Sequence, residues 1–328
     1  MRKERETSFK RGARGLLAAL LLVLSLAWSS PRQQTEPAAN FQAPKNEVVF
    51  VSDTQAPMFF EKLRLLVDRN EEATAKILDQ ISLEPNLAAV FMLGDVTSSA
   101  STDDKWRHID DFLQRMRKGG VPVYAAMGNH DYFWSAQKGL SNCRQRFPEL
   151  ASTWYSISLG PLSVIILNSN FGKLTMAEQA NQIAFYNKAL AQAEADPGIK
   201  GVIVCCHHAP YTNGRINEPS AKAQADFVPP FLKSRKCLLF LSGHAHAAEH
   251  FVHEGKPFLV LGGGGGLLHP LFIGPDRKYE DLFPSHAEKR FYHFLKVRIG
   301  EAGLVVNFEV LKRDLSGFTS VDQFSIDW

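Results

Sequence analysis

Five short apolar runs in this chain each end on residues of the kinds that bind metal ions. VVFVSDTQ closes on Asp53 and Gln55, AVFMLGDV on Asp95, and VPVYAAMGNHD on Asn129, His130 and Asp131. GVIVCCHH closes on His207 and His208, and CLLFLSGHAH on His244 and His246. Apolar runs of this length read as strands covered on both faces. In an open α/β sheet, ligands bind beyond the C-terminal ends of the strands. A fold that gathers these five ends at one edge is the tightest constraint in the sequence, and the remaining segments read as its scaffold.

Between the runs the period changes. Phe60 to Ile81 repeats apolar residues at helical spacing, and DDKWRHIDDFLQRMR follows as a second helix, with Asp103 as its cap and Gly119-Gly120 as its end. Strand, helix, strand, helix, strand argues a right-handed parallel half, with Val121 to Met127 as its third strand. The second half differs. TWYSISLGPLSVIILNSN reads as a hairpin about Gly160-Pro161, Met176 to Ala195 as a helix, and Lys200 to Cys206 as a strand. Phe227 to Lys233 reads as a short connection and Cys237 to Leu241 as a strand. AEHFVHEGKPFLVL is a second hairpin turning at Glu254-Gly255, and FYHFLKVRI and LVVNFEVL are alternating strands that close a sheet edge. The fold class is α/β, with two packed mixed β-sheets flanked by helices and one domain over residues 47–328.

The first 15 residues carry six Arg or Lys against two Glu, and Leu16 to Trp28 follows with Ser25 as its one polar residue. This is the pattern of a signal peptide or uncleaved signal anchor over residues 1–28, and it is short for a spanning helix. The expected location is therefore outside the cytoplasm, periplasmic or secreted, with residues 16–28 as the anchor if retained. Residues 29–46 are rich in Pro, Gln and Ala and read as a disordered tether. The net charge of +3 includes +4 from the leader, so the body is near −1 and offers no footprint for nucleic acid. An exported protein can pair its four cysteines, Cys143, Cys205, Cys206 and Cys237, but the last three lie within apolar strand patterns, which favours buried thiols.

Carboxylate, amide and imidazole groups converging at strand ends suit a pair of divalent ions, which need one bridging oxygen and several terminal O and N donors. Asp95, after Gly94, is a candidate bridge. Asp53 and Gln55 share i, i+2 spacing, as do His244 and His246, so both members of each pair can reach inward. Glycines at 94, 128 and 243 permit the sharp turns that expose these side chains.

In this order the residues resemble the signature of the calcineurin-like metallophosphoesterase superfamily: D-x-H, G-D, G-N-H-[DE], a histidine before a Pro-containing loop, and G-H-x-H. Here these are Asp53-Thr54-Gln55, Gly94-Asp95, Gly128-Asn129-His130-Asp131, His207-His208-Ala209-Pro210-Tyr211 and Gly243-His244-Ala245-His246. The resemblance implies a four-layer α/β/β/α sandwich holding two divalent or Fe-type ions (Mn, Fe, Zn or Mg). One would be held by Asp53, Gln55, Asp95 and His246, the other by Asp95, Asn129, His207 and His244, with His208 as the alternative to His207. It implies that His130, oriented by Asp131, donates to a substrate or leaving-group oxygen. The implied function is an exported, acid-phosphatase-like phosphohydrolase in which metal-activated hydroxide attacks a small phosphomonoester. A phosphodiesterase or nucleotide-sugar pyrophosphatase is the alternative on the same site. A catalytically degenerate metal-binding interaction protein is the alternative of another class.

The sequence departs from the signature at Gln55, where the family has histidine. An amide oxygen is a weaker, harder ligand than imidazole and shifts preference from Zn towards Mn, Fe or Mg. Ser98, three residues after Asp95, stands where purple acid phosphatases carry their iron-ligating tyrosine. Gly262 to Gly266 reads as a tight loop or a backbone approach to the metal cleft, Asn168 and Asn170 as pocket or turn residues, and Tyr132, Phe133 and Trp134 as a pocket wall or core. His250, His253, His269, His286 and His293 lack ligand spacing.

Overall fold

A computed structural model describes residues 45–58 and 69–328. The expected leader, most of the tether and the first part of the expected 60–81 helix lie outside them. The strands are β1 (Glu47–Val51), β2 (Leu87–Met92), β3 (Val123–Ala125), β4 (Tyr155–Leu159), β5 (Leu162–Ile166), β6 (Gly201–His208), β7 (Cys237–Gly243), β8 (Ala248–His253), β9 (Lys256–Leu261), β10 (His293–Ile299), β11 (Gly303–Leu311) and β12 (Phe318–Asp327). The described helices are α1 (Asn70–Leu83), α2 (Arg107–Lys118), α3 (Ala136–Arg146), α4 (Met176–Ala195), α5 (Ala221–Asp226) and α6 (Val228–Lys233).

Two mixed six-stranded sheets result, ordered β12-β11-β10-β1-β2-β3 and β4-β5-β6-β7-β9-β8. Strand β1 shows why Val48 to Val51 are all apolar. Successive side chains point to opposite faces, and both faces are covered. Val48 and Phe50 enter the core between the sheets, where Phe50 stacks on Phe91 at 5.1 Å, while Val49 and Val51 pack under helices with Ile77 and Phe112. Each such side chain contributes about 1.5–3 kcal/mol by leaving water. The second sheet repeats the arrangement, with Cys205 in the central layer and Cys206 beneath α4 and α6. All four cysteines are free and buried. The order of layers is helix, sheet, sheet, helix.

Helix α4 begins at the expected residue because Thr175 and Glu178 form a reciprocal capping box. Four expectations are corrected. The expected 227–233 connection is helical over α6. Residues 121–127 supply a strand of only three residues. The strand FYHFLKVRI does not form the edge: β10 pairs with β1, and the alternating strand β12 closes that side. Asp103 caps no helix by its side chain, and accepts from Lys138 and Asn142 instead.

Parallel pairing sets the site. Val51 pairs with Met92, so the loops carrying Asp53 and Asp95 leave the first sheet side by side. His208 pairs with Gly243, which brings His207 next to His244 at the matching edge of the second sheet.

Candidate metal centre

The two sheet edges meet through hydrogen bonds between their ligand loops. Asp53 Oδ2 accepts from the His244 backbone N–H at 2.9 Å, and Leu93 C=O accepts from His207 Nδ1 at 2.9 Å. A carbonyl can only accept, so Nδ1 carries a hydrogen, and Nε2 of His207 is the nitrogen whose lone pair faces the cleft once its proton is released. That nitrogen lies 3.2 Å from Asp95 Oδ2 and 3.1 Å from Asn129 Oδ1. His246 is set the same way. Its Nδ1 donates to Leu267 C=O at 2.7 Å, leaving Nε2 3.3 Å from Asp53 Oδ1.

Two groups of ligand atoms, each lying within 4.8 Å of one another, therefore exist: Asp53, Asp95 and His246, and His207, His208 and His244. The polar atoms left over also bear on a cation. Asp53 Oδ1 and Gln55 Oε1 are buried without a hydrogen-bond donor, which is costly unless a positive charge faces them. The donor set, with two carboxylates, two amide oxygens and imidazoles oriented by carbonyls, fits a dinuclear centre.

Backbone strain is concentrated at these residues. Asp53, Asp95, His244 and His246 all have φ between +50° and +68°, a region few side chains adopt. Strain held by surrounding structure is a common property of functional sites. Gly128 shows how tightly the loops fit: a Cβ there would lie 2.2 Å from Asp95 Oδ1, so only glycine allows this approach.

The charges compensate one another. Burial, the largest influence, raises the Asp53 carboxyl, yet the facing His246 and the nearby His207 together outweigh this and hold it below the ordinary range. Burial likewise opposes ionisation of Asp95, but His207 holds it well below that range. For His207 burial acts downward and Asp95 upward, and the imidazole ends raised to about 9. His208 falls to about 3 through burial and the adjoining His207 charge. Cation binding would release the protons held here, because ligands bind deprotonated.

Asp131 takes a different role from the one expected. His130 Nδ1 bonds the Ser98 carbonyl at 3.1 Å, and Nε2 faces Asp95 Oδ2 at 3.9 Å. Asp131 does not orient His130. Its Oδ2 accepts from the backbone N–H groups of Gly128 (2.7 Å) and Asp95 (3.3 Å), fixing the two ligand turns against each other. Burial and the nearby Asp95 charge raise its carboxyl to about 7. Asn168 and Asn170 are buried turn residues: Asn170 Nδ2 donates to Met127 C=O, and Asn168 Nδ2 to Tyr132 and Thr153. The glycine run serves both roles read for it, with Gly264 and Gly266 donating to the carbonyls of Ser52 and Asp53.

The loop after His208 is anchored by a residue the sequence reading passed over. Glu249 is fully buried and accepts from Thr212 Oγ1 at 2.5 Å and from the Asn213 N–H at 2.8 Å. The carbonyls of Leu93, Ser98 and Leu267, which orient three imidazoles, carry no sequence signal, since any residue type supplies a carbonyl.

A family model described as calcineurin-like phosphoesterase matches residues 47–248. The chain belongs to the calcineurin-like phosphoesterase family. It is accordingly a metal-dependent phosphoesterase by family. Solved structures share the fold. GAP50 of Plasmodium, described as the anchor in the inner membrane complex, is 15% identical with a TM-score of 0.65 over 86% of this chain and 88% of its own. Purple acid phosphatase PPD1 from yellow lupin (Lupinus luteus) is 18% identical with a TM-score of 0.65, over 87% of this chain and 55% of its own. A dimetal phosphatase from Danio rerio is 16% identical with a TM-score of 0.57, over 87% of this chain and 99% of its own. No curated protein matches.

Proposed function

We propose that this phosphoesterase is an exported phosphomonoesterase of the acid-phosphatase type, working with two metal ions on a small phosphorylated substrate. One ion is assigned to Asp53, Gln55, Asp95 and His246, the other to Asp95, Asn129, His207 and His244. The observation that carries the reading is His207 Nε2 lying within 3.2 Å of both Asp95 Oδ2 and Asn129 Oδ1, with Asp53 Oδ1 buried and undonated. Two bound cations supply the charge that attracts a phosphate and lower the pKa of water towards neutrality.

The protein's own groups then have definite tasks. Asp95 Oδ1 accepts from the His130 N–H at 2.7 Å, which leaves Oδ2 directed at the cleft. Asn129 and His207 present an oxygen and a nitrogen from opposite sheets, so the site is complete only when the sheets are packed. Because His130 Nδ1 already donates to Ser98, its Nε2 donates only as imidazolium. In that form it hands a proton to the departing alkoxide oxygen and becomes neutral. Asp131 acts as a positioning residue, holding the Asp95 and Asn129 turns in register.

The rival reading, an interaction protein that has lost turnover, is favoured by Gln55 in the histidine position of the signature. Export rests on the sequence pattern of residues 1–28. No helix among the described residues is long and apolar enough to cross a membrane. Hydrolysis of nitrophenyl phosphate against bis(nitrophenyl) phosphate, with apo protein reconstituted separately with Mn, Fe, Zn and Mg, tests the reading. Metal-dependent turnover favouring the monoester is expected. A bis-ester preference moves the assignment to a phosphodiesterase, and no turnover by fully metallated protein favours the interaction role.

A further inference from the structure

We propose that Phe133 and Trp134 form a seat for the alcohol part of the substrate, and that the ester this site hydrolyses carries a planar aromatic ring. The inference rests on the phosphomonoesterase reading and adds a substrate class to it. Tyr132, by contrast, is buried and bonded to Asn168, so it belongs to the core.

Trp134 is 80% exposed, and its backbone has φ +60°. A bulky side chain in that region is an outlier. Of the eight non-glycine residues with positive φ among those described, four are the proposed ligands Asp53, Asp95, His244 and His246, and Glu254 occupies the β8–β9 hairpin turn. Trp134 shares its strained conformation with the site.

Helix α3 does not account for the indole. Ser135 is its N-cap, accepting from the Lys138 N–H, so Trp134 occupies the preceding position, where an apolar residue commonly packs on the fourth helical residue. That residue is Gly139, and a Cβ there would lie 2.1 Å from the Asp131 carbonyl oxygen. The helix packs so closely on this turn that position 139 can offer no side chain to the indole.

The rings instead lead to the reacting centre. Phe133 stacks on His130, with centroids 5.3 Å apart and planes 13° from parallel. Trp134 stands at 86° to Phe133, with centroids 5.6 Å apart. The two form perpendicular walls beginning at the residue assigned to the leaving oxygen. Their backbone is fixed, since the Phe133 N–H donates to His130 C=O, and its carbonyl accepts from Ser101 Oγ at 3.0 Å and the Ser135 N–H at 2.7 Å. Perpendicular rings accept a planar ring by stacking on one and meeting the other edge-on. Aryl phosphates and nucleoside monophosphates share that chemistry.

The test compares metal-loaded wild type with Trp134→Phe, Trp134→Ala and Trp134→Gly, the last removing the backbone strain as well. Three substrates are used: phenyl phosphate, a nucleoside 5′-monophosphate and glycerol phosphate. In Trp134→Ala and Trp134→Gly the kcat/KM ratio of ring-bearing to ring-free ester should fall about tenfold, mainly through KM, while Trp134→Phe keeps most of it. The ring-bearing ester with the larger wild-type ratio identifies the source. An unchanged ratio in all three variants overturns the proposal. A second readout is independent of turnover: phenylphosphonate, but not methylphosphonate, should quench tryptophan fluorescence in wild type and not in Trp134→Phe. Hydrolysis without ring preference sinks the seat and leaves the phosphatase. Trp134-dependent quenching without hydrolysis of any ester keeps the seat and sinks the phosphatase.

Discussion

Gln55 Nε2 lies 3.3 Å from Nε2 of His246, so the residue that departs from the family signature faces one of the best-oriented of the proposed ligands. His246 is tied through Nδ1 to Leu267 C=O, and in its neutral form its Nε2 lone pair meets the amide. The two ends of a glutamine amide are nearly isosteric, and half a turn about its last bond exchanges them. Gln55 can thus pair with His246 in metal-free protein and offer its oxygen to a cation.

That switch gives the amide a measurable consequence. Replacing Gln55 with histidine should tighten the first site for Zn by at least about tenfold and move the preferred metal away from Mn and Mg. Competition between metals with a chromophoric chelator measures it. Equal affinity and preference in the two proteins would remove Gln55 from the ligand set.

His207 and His208 should separate cleanly. His207 Nε2 faces Asp95 and Asn129, whereas His208 Nδ1 bonds Ser169 Oγ at 2.8 Å. His207→Ala should lower metal affinity by about 100-fold or more, and His208→Ala by less than about tenfold. Calorimetric titration of each variant distinguishes them, and the reverse ranking would transfer the ligand role to His208.

Glu249 sets a pH dependence that needs no metal. Burial lifts its carboxyl from 4.5 to about 7, against the pull of the Thr212 hydrogen bond. Between about pH 4.5 and 7 the folded protein keeps a proton that the unfolded chain has released. Stability from this group therefore falls as pH rises through that window. Glu249→Gln, which preserves an acceptor for Asn213, should gain about 1–3 kcal/mol relative to wild type on going from pH 5 to pH 8. Thermal unfolding of both proteins at the two pH values checks this, and a pH-independent difference would mean the carboxyl titrates normally.

Much of this was written locally in the sequence. Each ligand follows an apolar run, and Val48 to Val51 alternate between two buried faces, so strand and site could be read together. What escaped was set by tertiary geometry. Helix α3, AQKGLSNCRQR, buries only Gly139 and Cys143 fully and shows little apolar periodicity. In β12, no residue is fully buried, as suits an edge. Asp131 adjoins His130 in sequence, yet the 3-10 turn His130–Tyr132 sends their side chains apart, one to the Ser98 carbonyl and one to backbone N–H groups.

Asp95 is proposed to join two cation sites. Metal content and monoester hydrolysis, measured together on metal-depleted protein titrated with Mn, test it most directly. Wild type should take up two equivalents per chain, with activity appearing on filling of the second, and Asp95→Asn should lose both sites and at least about 1,000-fold in kcat. A wild type saturating at one equivalent with full activity, or an Asp95→Asn variant retaining two ions, would contradict it.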